Sequence, residues 1–301
     1  MRGNASRIDR TRPPAPVSDM IRIRAILVVC LLAFASQAHA ADLFFRTSDG
    51  VRLHAIVAGP SSEHTIVLIP GWTMPAWIFS PQIAAFSRHY RVVVLDPRGQ
   101  GESEIAPSGY DDRRRAEDIA ELLTHLGPRP VLLGGWSLGV LDVLAYIHTH
   151  GDRRIAGLVL IDNSVGEEPP PRPLPPHRGP PPPWPVAMRA FVHGMFAHPP
   201  PTAYLDQLTA AALETPKWAA EDLLRYPEPR TYWRDALYST DKPVLYIVRP
   251  HLAGQAANVA RHDPHAETVV LHGVGHALFV DDPSRFDALL LSFMQQRVWP
   301  H

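Results

Sequence analysis

Six short runs of Val, Ile and Leu punctuate the chain, at 65–69, 91–95, 131–133, 155–161, 244–248 and 268–271. Each is continuous rather than alternating and ends in turn residues. A run of that length, apolar on both sides, suits a strand covered on both faces, as strands of a parallel sheet are. Between the runs, hydrophobic positions recur at helical spacing. Over 114–126, Ile119, Leu122, Leu123 and Leu126 fall on one face; over 283–295, an initial Pro is followed by Phe286, Leu289, Leu290 and Phe293. Strands alternating with amphipathic helices predict an α/β domain with a mostly parallel sheet and helices on both faces. Residues 42–46 and 52–57, split by Asp49-Gly50, predict an antiparallel hairpin at its start.

This rhythm breaks between 164 and 240. A Pro-rich run over 169–185 leads into helical patterns at 186–196, 203–213 and 217–224, and Trp184, Phe191, Phe196, Tyr204, Trp218, Tyr226 and Trp233 give the whole stretch an aromatic character. A helical, aromatic insertion between two sheet strands predicts a lid over a pocket at the strand ends, after the sixth strand. A Pro-rich surface loop with helices that only pack is the plainer alternative. The expected organisation is an extension with an export signal (1–40), a core in two pieces (41–163 and 241–301) and the insertion (164–240).

Composition changes this picture mainly at the N-terminus. Met20 is followed by Arg22 and Arg24, an apolar run over 25–35, then Ala38-His39-Ala40. A basic start, a short apolar stretch and small residues at a cleavage point predict a secretory signal, with the mature chain starting near Ala41. Either Met1 or Met20 serves as the start under this reading. The apolar run is too short for a stable membrane anchor. A periplasmic or secreted location is the expectation. The one cysteine, Cys30, falls inside the apolar run, so the mature chain would hold no thiol, disulfide or cysteine nucleophile. A formal net charge of -1 gives no electrostatic footprint for nucleic acid.

The chemistry concentrates at Gly135-Trp136-Ser137-Leu138-Gly139, which follows the run at 131–133 and precedes a helical pattern at 140–148. A serine on a sharp strand-to-helix turn is lifted above the sheet, and side chains two residues to either side would crowd that turn. From about Phe44 onward the chain resembles the lidded α/β-hydrolases of the esterase, haloperoxidase and carbon–carbon hydrolase type. Besides the serine turn, the resemblance rests on Pro70-Gly71-Trp72, on Asp96-Pro97-Arg98-Gly99-Gln100-Gly101-Glu102-Ser103, and on Gly273-Val274-Gly275-His276. The resemblance implies Ser137 as nucleophile, His276 as general base, and the backbone N–H groups of Trp72 and Leu138 as the oxyanion hole. Where the family has His-Gly before the second donor, this chain has Pro70-Gly71. Arg98, Asp281 and Asp282 match family positions that tie loops together, and His272 reads as a structural residue in the last strand segment.

The family's usual acid follows the strand at 244–248, but here Arg249-Pro250-His251-Leu252 stands there, with no carboxylate before Asp263. Asp263 precedes the last strand, and Asp241 is at the wrong end of its own. Asp162, at the end of the run 155–161, matches the point where some members of the fold carry the acid instead. An aspartate at a strand end also caps loops, so two arrangements stay open: a Ser137–His276–Asp162 triad, or a dyad oriented by water or backbone. No cofactor is implied. His177, His193 and His198 lack zinc-like spacing, so no metal is expected. The expected function is hydrolysis of a small carboxylic ester with an apolar part. Perhydrolysis, carbon–carbon cleavage or a low-turnover ligand-binding role are the alternatives.

Overall fold

The computed structural model describes residues 40–172 and 179–300. The export signal expected before Ala40, and His177, lie outside the described residues. Eight strands form one sheet: β1 (Ala41–Arg46), β2 (Arg52–Ala58), β3 (Thr65–Ile69), β4 (Arg91–Asp96), β5 (Val131–Trp136), β6 (Ile155–Ile161), β7 (Val244–Val248) and β8 (Ala266–Val270). Their order is β1-β2-β4-β3-β5-β6-β7-β8. The hairpin β1–β2 and the β2–β4 pair are antiparallel, and every other pair is parallel.

Alternate side chains of the buried strands feed two cores. Ile66, Leu68, Val92, Val94, Leu132 and Ile247 face one side, and Val67, Ile69, Val93, Leu95, Leu133 and Val248 face the other. On the first side pack α1 (Ser80–Phe86), α9 (Leu278–Asp281) and α10 (Pro283–Phe293); on the second pack α2 (Asp112–His125), α3 (Leu138–His150) and α8 (Ala253–His262). Between β6 and β7 the chain forms α4 (Trp184–Gly194), α5 (Thr202–Glu214), α6 (Lys217–Leu223) and α7 (Arg230–Tyr238). This insertion divides its apolar residues. Met188, Val192, Leu205 and Leu208 join the first core, while Ala219, Leu223, Trp233 and Leu237 join the second.

Some elements differ from expectation. β5 runs on through Gly134 and Gly135 to Trp136, because both glycines continue the ladder with Leu68 and Ile69 of β3. β8 spans Ala266–Val270 rather than 268–271, and His272 is an exposed loop residue beyond it. The expectation that His272 belongs to the strand segment is therefore corrected: the ladder with β7 stops at Val270. α7 and α8 escaped the sequence reading. α8 carries Gly254 and few large apolar residues, and only Ala256 and Val259 reach the core from it. Among the described residues no helix is long and apolar enough to cross a membrane.

Candidate active site

Ser137 stands where β5 turns into α3, with φ 55° and ψ −121°. Positive φ is costly for a residue with a Cβ and persists only where the surroundings enforce it. Here the Ser137 N–H donates to Ile161 O at 2.9 Å, and its carbonyl accepts from the Asn163 side-chain amide at 2.7 Å. The flanking glycines are sterically required. A Cβ on Gly135 would come within 2.2 Å of Gly139 O, and one on Gly139 within 2.3 Å of Ile69 O.

His276 reaches this serine from the loop after β8. Its Nε2 lies 2.8 Å from Ser137 Oγ, and its Nδ1 lies 2.7 Å from Asp162 Oδ2. The Trp136 indole N–H donates to the His276 carbonyl at 2.8 Å. Asp281 accepts from Gly275 N at 2.5 Å, from Ala197 N at 2.8 Å and from His198 N at 3.1 Å. One carboxylate thus ties the histidine loop to the segment after α4. Asp282 caps α10 through Arg285 N.

Asp162 directly follows β6, itself at φ 49°, and its side chain is fully buried. Burial alone would raise its pKa; the hydrogen bond and charge of His276, with the charge of Arg249, outweigh that and hold it below the usual carboxylate value. The carboxylate is therefore the acceptor, Nδ1–H the donor, and Nε2 is left free to accept the serine proton. Of the two arrangements left open, the geometry is that of the three-residue chain. Asp263, by contrast, ends α8, and Asp241 lies before β7, exposed.

The loop after β3 abuts the serine from the other side. A Cβ on Gly71 would lie 2.8 Å from Ser137 Cβ, so the backbone entering Trp72 passes against the nucleophile. Leu138 is the first residue of α3, and an N–H in a first turn has no carbonyl partner within its helix. The Gln100 side chain braces the Trp72 loop. It accepts from Thr73 N at 2.9 Å and donates to Gly71 O at 3.1 Å and to Met74 O at 3.0 Å. Thr73, at φ 59°, needs that support.

The insertion closes on the same loop. The Trp72 indole N–H donates to Ala220 O at 2.7 Å, and its ring packs edge-on against Trp184 and Phe191. Thr215 Oγ1 donates to Gly99 O at 2.8 Å. Among the described residues, no group of three or more His, Cys, Asp or Glu is arranged to hold a metal ion.

Three supporting residues escaped the sequence reading. Gln100 was visible within its motif, but its reach to residues 71–74 was not. Asn163 follows Asp162 and gave no signal. Arg249 occupies the position where an acid was sought. Its backbone N–H donates to Asp162 Oδ1 at 3.0 Å and its Nε to Oδ2 at 2.6 Å.

Comparison with known proteins agrees with this architecture. The model of the alpha/beta hydrolase family matches residues 66–289. The chain is 35% identical over 100 residues to a soluble epoxide hydrolase of Corynebacterium sp. (strain C12), covering 33% of this chain and 34% of that protein. It is 34% identical over 119 residues to a non-heme haloperoxidase of Rhodococcus erythropolis, covering 39% and 43%. The chain thus spans less than half the length of these two relatives. Among solved structures, an esterase from Exiguobacterium antarcticum superposes with a TM-score of 0.72 at 20% identity, over 84% of this chain and 99% of that one. At that identity the likeness establishes the fold.

Proposed function

The chain belongs to the alpha/beta hydrolase family, and from that premise we propose that it hydrolyses carboxylic esters through an acyl-enzyme on Ser137. The observation that carries this reading is the unbroken chain Ser137 Oγ–His276–Asp162, with links of 2.8 and 2.7 Å. His276 Nε2 takes the Ser137 proton as Oγ bonds to the ester carbonyl carbon. The oxyanion so formed is held by the N–H groups of Trp72 and Leu138. As the tetrahedral centre collapses, the alcohol leaves with the proton from His276. Water then attacks the acyl-serine by the same route and releases the acid.

The aromatic group of Trp72, Trp184 and Phe191 next to this loop supports an ester with an apolar acyl or alcohol part, with 164–240 acting as a lid. The basic and apolar pattern before Ala40 supports export to the periplasm or beyond. Serine rather than aspartate at the elbow speaks against the epoxide chemistry named for the Corynebacterium relative.

The test is incubation of the protein with short aryl esters and with a fluorophosphonate probe. The expected result is ester turnover and labelling of the wild type, both lost in Ser137→Ala. A wild type that is neither labelled nor active would defeat the reading. The chain is also 29% identical over 119 residues to a bifunctional esterase/perhydrolase of Acinetobacter calcoaceticus, and that name favours a second reading, perhydrolysis, in which hydrogen peroxide replaces water at the acyl-enzyme. Peracid formation from acetate and peroxide, lost in Ser137→Ala, would support it.

A further inference from the structure

Arg249 is the first residue after β7, and Asp162 the first after β6. The two strands pair in parallel with Ile161 beside Ile247, so the two side chains leave the sheet as neighbours. The Asp162 N–H donates to Ile247 O at 2.8 Å, fixing this register up to the last residue. The carboxylate then receives the Arg249 backbone N–H on Oδ1, and both Arg249 Nε and His276 Nδ1 on Oδ2. One oxygen thus serves a guanidinium and the imidazole at once, at 2.6 and 2.7 Å.

A second contact decides what this sharing does. Arg249 Nη2 lies 3.4 Å from His276 Nδ1. Were Nη2 the donor to Nδ1, the imidazole would carry its proton on Nε2, facing Ser137 Oγ, and could not take the serine proton. The shorter contact to a charged carboxylate keeps the proton on Nδ1. Nη2–H and Nδ1–H then face each other as two donors. A fixed positive charge therefore stands beside the imidazole and opposes adding a second proton to it.

We propose that Arg249 is a positioning residue that holds Asp162 in place and sets a fixed positive charge against the addition of a second proton to His276. This rests on the reading of His276 as general base. The other polar and titratable groups around the Asp162–His276 pair do not supply the same effect. Ser137 is neutral. His251, in the turn 250–252, is pushed down by burial and so carries little charge. Tyr246 of β7 is raised by burial and stays neutral. Asp281 of α9 is engaged by backbone N–H groups. Arg249 is the only one of these that brings a permanent positive charge.

The experiment compares pH profiles of kcat/KM for aryl ester hydrolysis in the wild type, Arg249→Met and Arg249→Lys, with circular dichroism and melting temperature recorded for each. The expected result for Arg249→Met is an acid limb displaced to higher pH, so that activity at about pH 5, relative to its own plateau, falls roughly three- to tenfold below that of the wild type. Arg249→Lys, which keeps the charge, should keep the acid limb near the wild-type position while its plateau kcat drops. If Arg249→Met does not fold, Arg249→Gln keeps a neutral donor near Asp162 and serves the same comparison. Superimposable limbs in wild type and the neutral variant would overturn the proposal, as would equal displacement in the lysine and neutral variants. Fluorophosphonate labelling separates this failure from that of the hydrolase reading. A labelled wild type with an unmoved limb defeats only the role of Arg249, whereas an unlabelled wild type defeats the serine mechanism itself.

Discussion

At the scale of single residues, the site is built from groups whose removal leaves identifiable partners stranded. Asp162→Asn keeps the shape but removes the charge that holds the proton on His276 Nδ1. The expected outcome is a fall in kcat on the order of 10³–10⁴-fold with KM little changed, measured by steady-state ester hydrolysis. Gln100→Leu strands Thr73 N and Met74 O and leaves Gly71 O with the Met74 N–H alone, loosening the loop that carries the Trp72 N–H. A loss of about 1–3 kcal/mol in urea unfolding should accompany a lower kcat, because the donor is no longer held in place. Ser137 was legible in the sequence because its constraint is local: glycines at 135 and 139 report the crowding directly. Arg249 was not, because its partner is set by which strands lie side by side, and periodicity carries no such information.

Elements were legible where a run was long enough and apolar enough to show its period. The central strands are apolar on both faces and read as such. α8 buries few large residues and left little pattern, whereas α7 buries Tyr232, Trp233 and Leu237 within only nine residues, too short a stretch to display a helical period. The hairpin β1–β2 was read from its turn, but the reason it docks was not. His54 on β2 is almost fully buried, its Nδ1 2.7 Å from Asp96 of β4 and its Nε2 3.1 Å from Asp42 of β1. Burial would lower its pKa, yet the hydrogen bonds and charges of Asp96 and Asp42 win and raise it above 6.5. A raised pKa in the folded state means that the stabilisation is complete below the unfolded value and is lost as pH rises through the folded one. Urea midpoints of the wild type should therefore decline as pH climbs above about 6.5, and His54→Gln should flatten that decline. A wild-type midpoint that rises over this range would contradict the linkage.

At the scale of the whole molecule, the insertion between β6 and β7 contributes to the cores on both faces of the sheet and touches the loops after β3, β4 and β8. The segment is legible in the sequence by its broken rhythm and aromatic content. Its anchors are not, because Trp72–Ala220 and Thr215–Gly99 join residues more than a hundred positions apart. The chain as a whole also carries a built-in assay for the proposed export. Cys30 is its one cysteine, so a chain processed after Ala40 should take up no maleimide when denatured. A chain that retains the leader should take up one equivalent, measured by intact mass.

The adjoining ends of β6 and β7 have an evolutionary consequence. If a carboxylate at either strand end can serve one histidine, the two ends are two berths, and the acid can change address while nucleophile and base stay where they are. A path through an intermediate with both berths acidic would leave the imidazole partnered at every step. Asp162→Asn combined with Arg249→Asp makes that crossing in the laboratory. Recovery of part of the activity lost in Asp162→Asn alone would mark the two berths as interchangeable, and the acid's position as a record of descent more than a requirement of the chemistry.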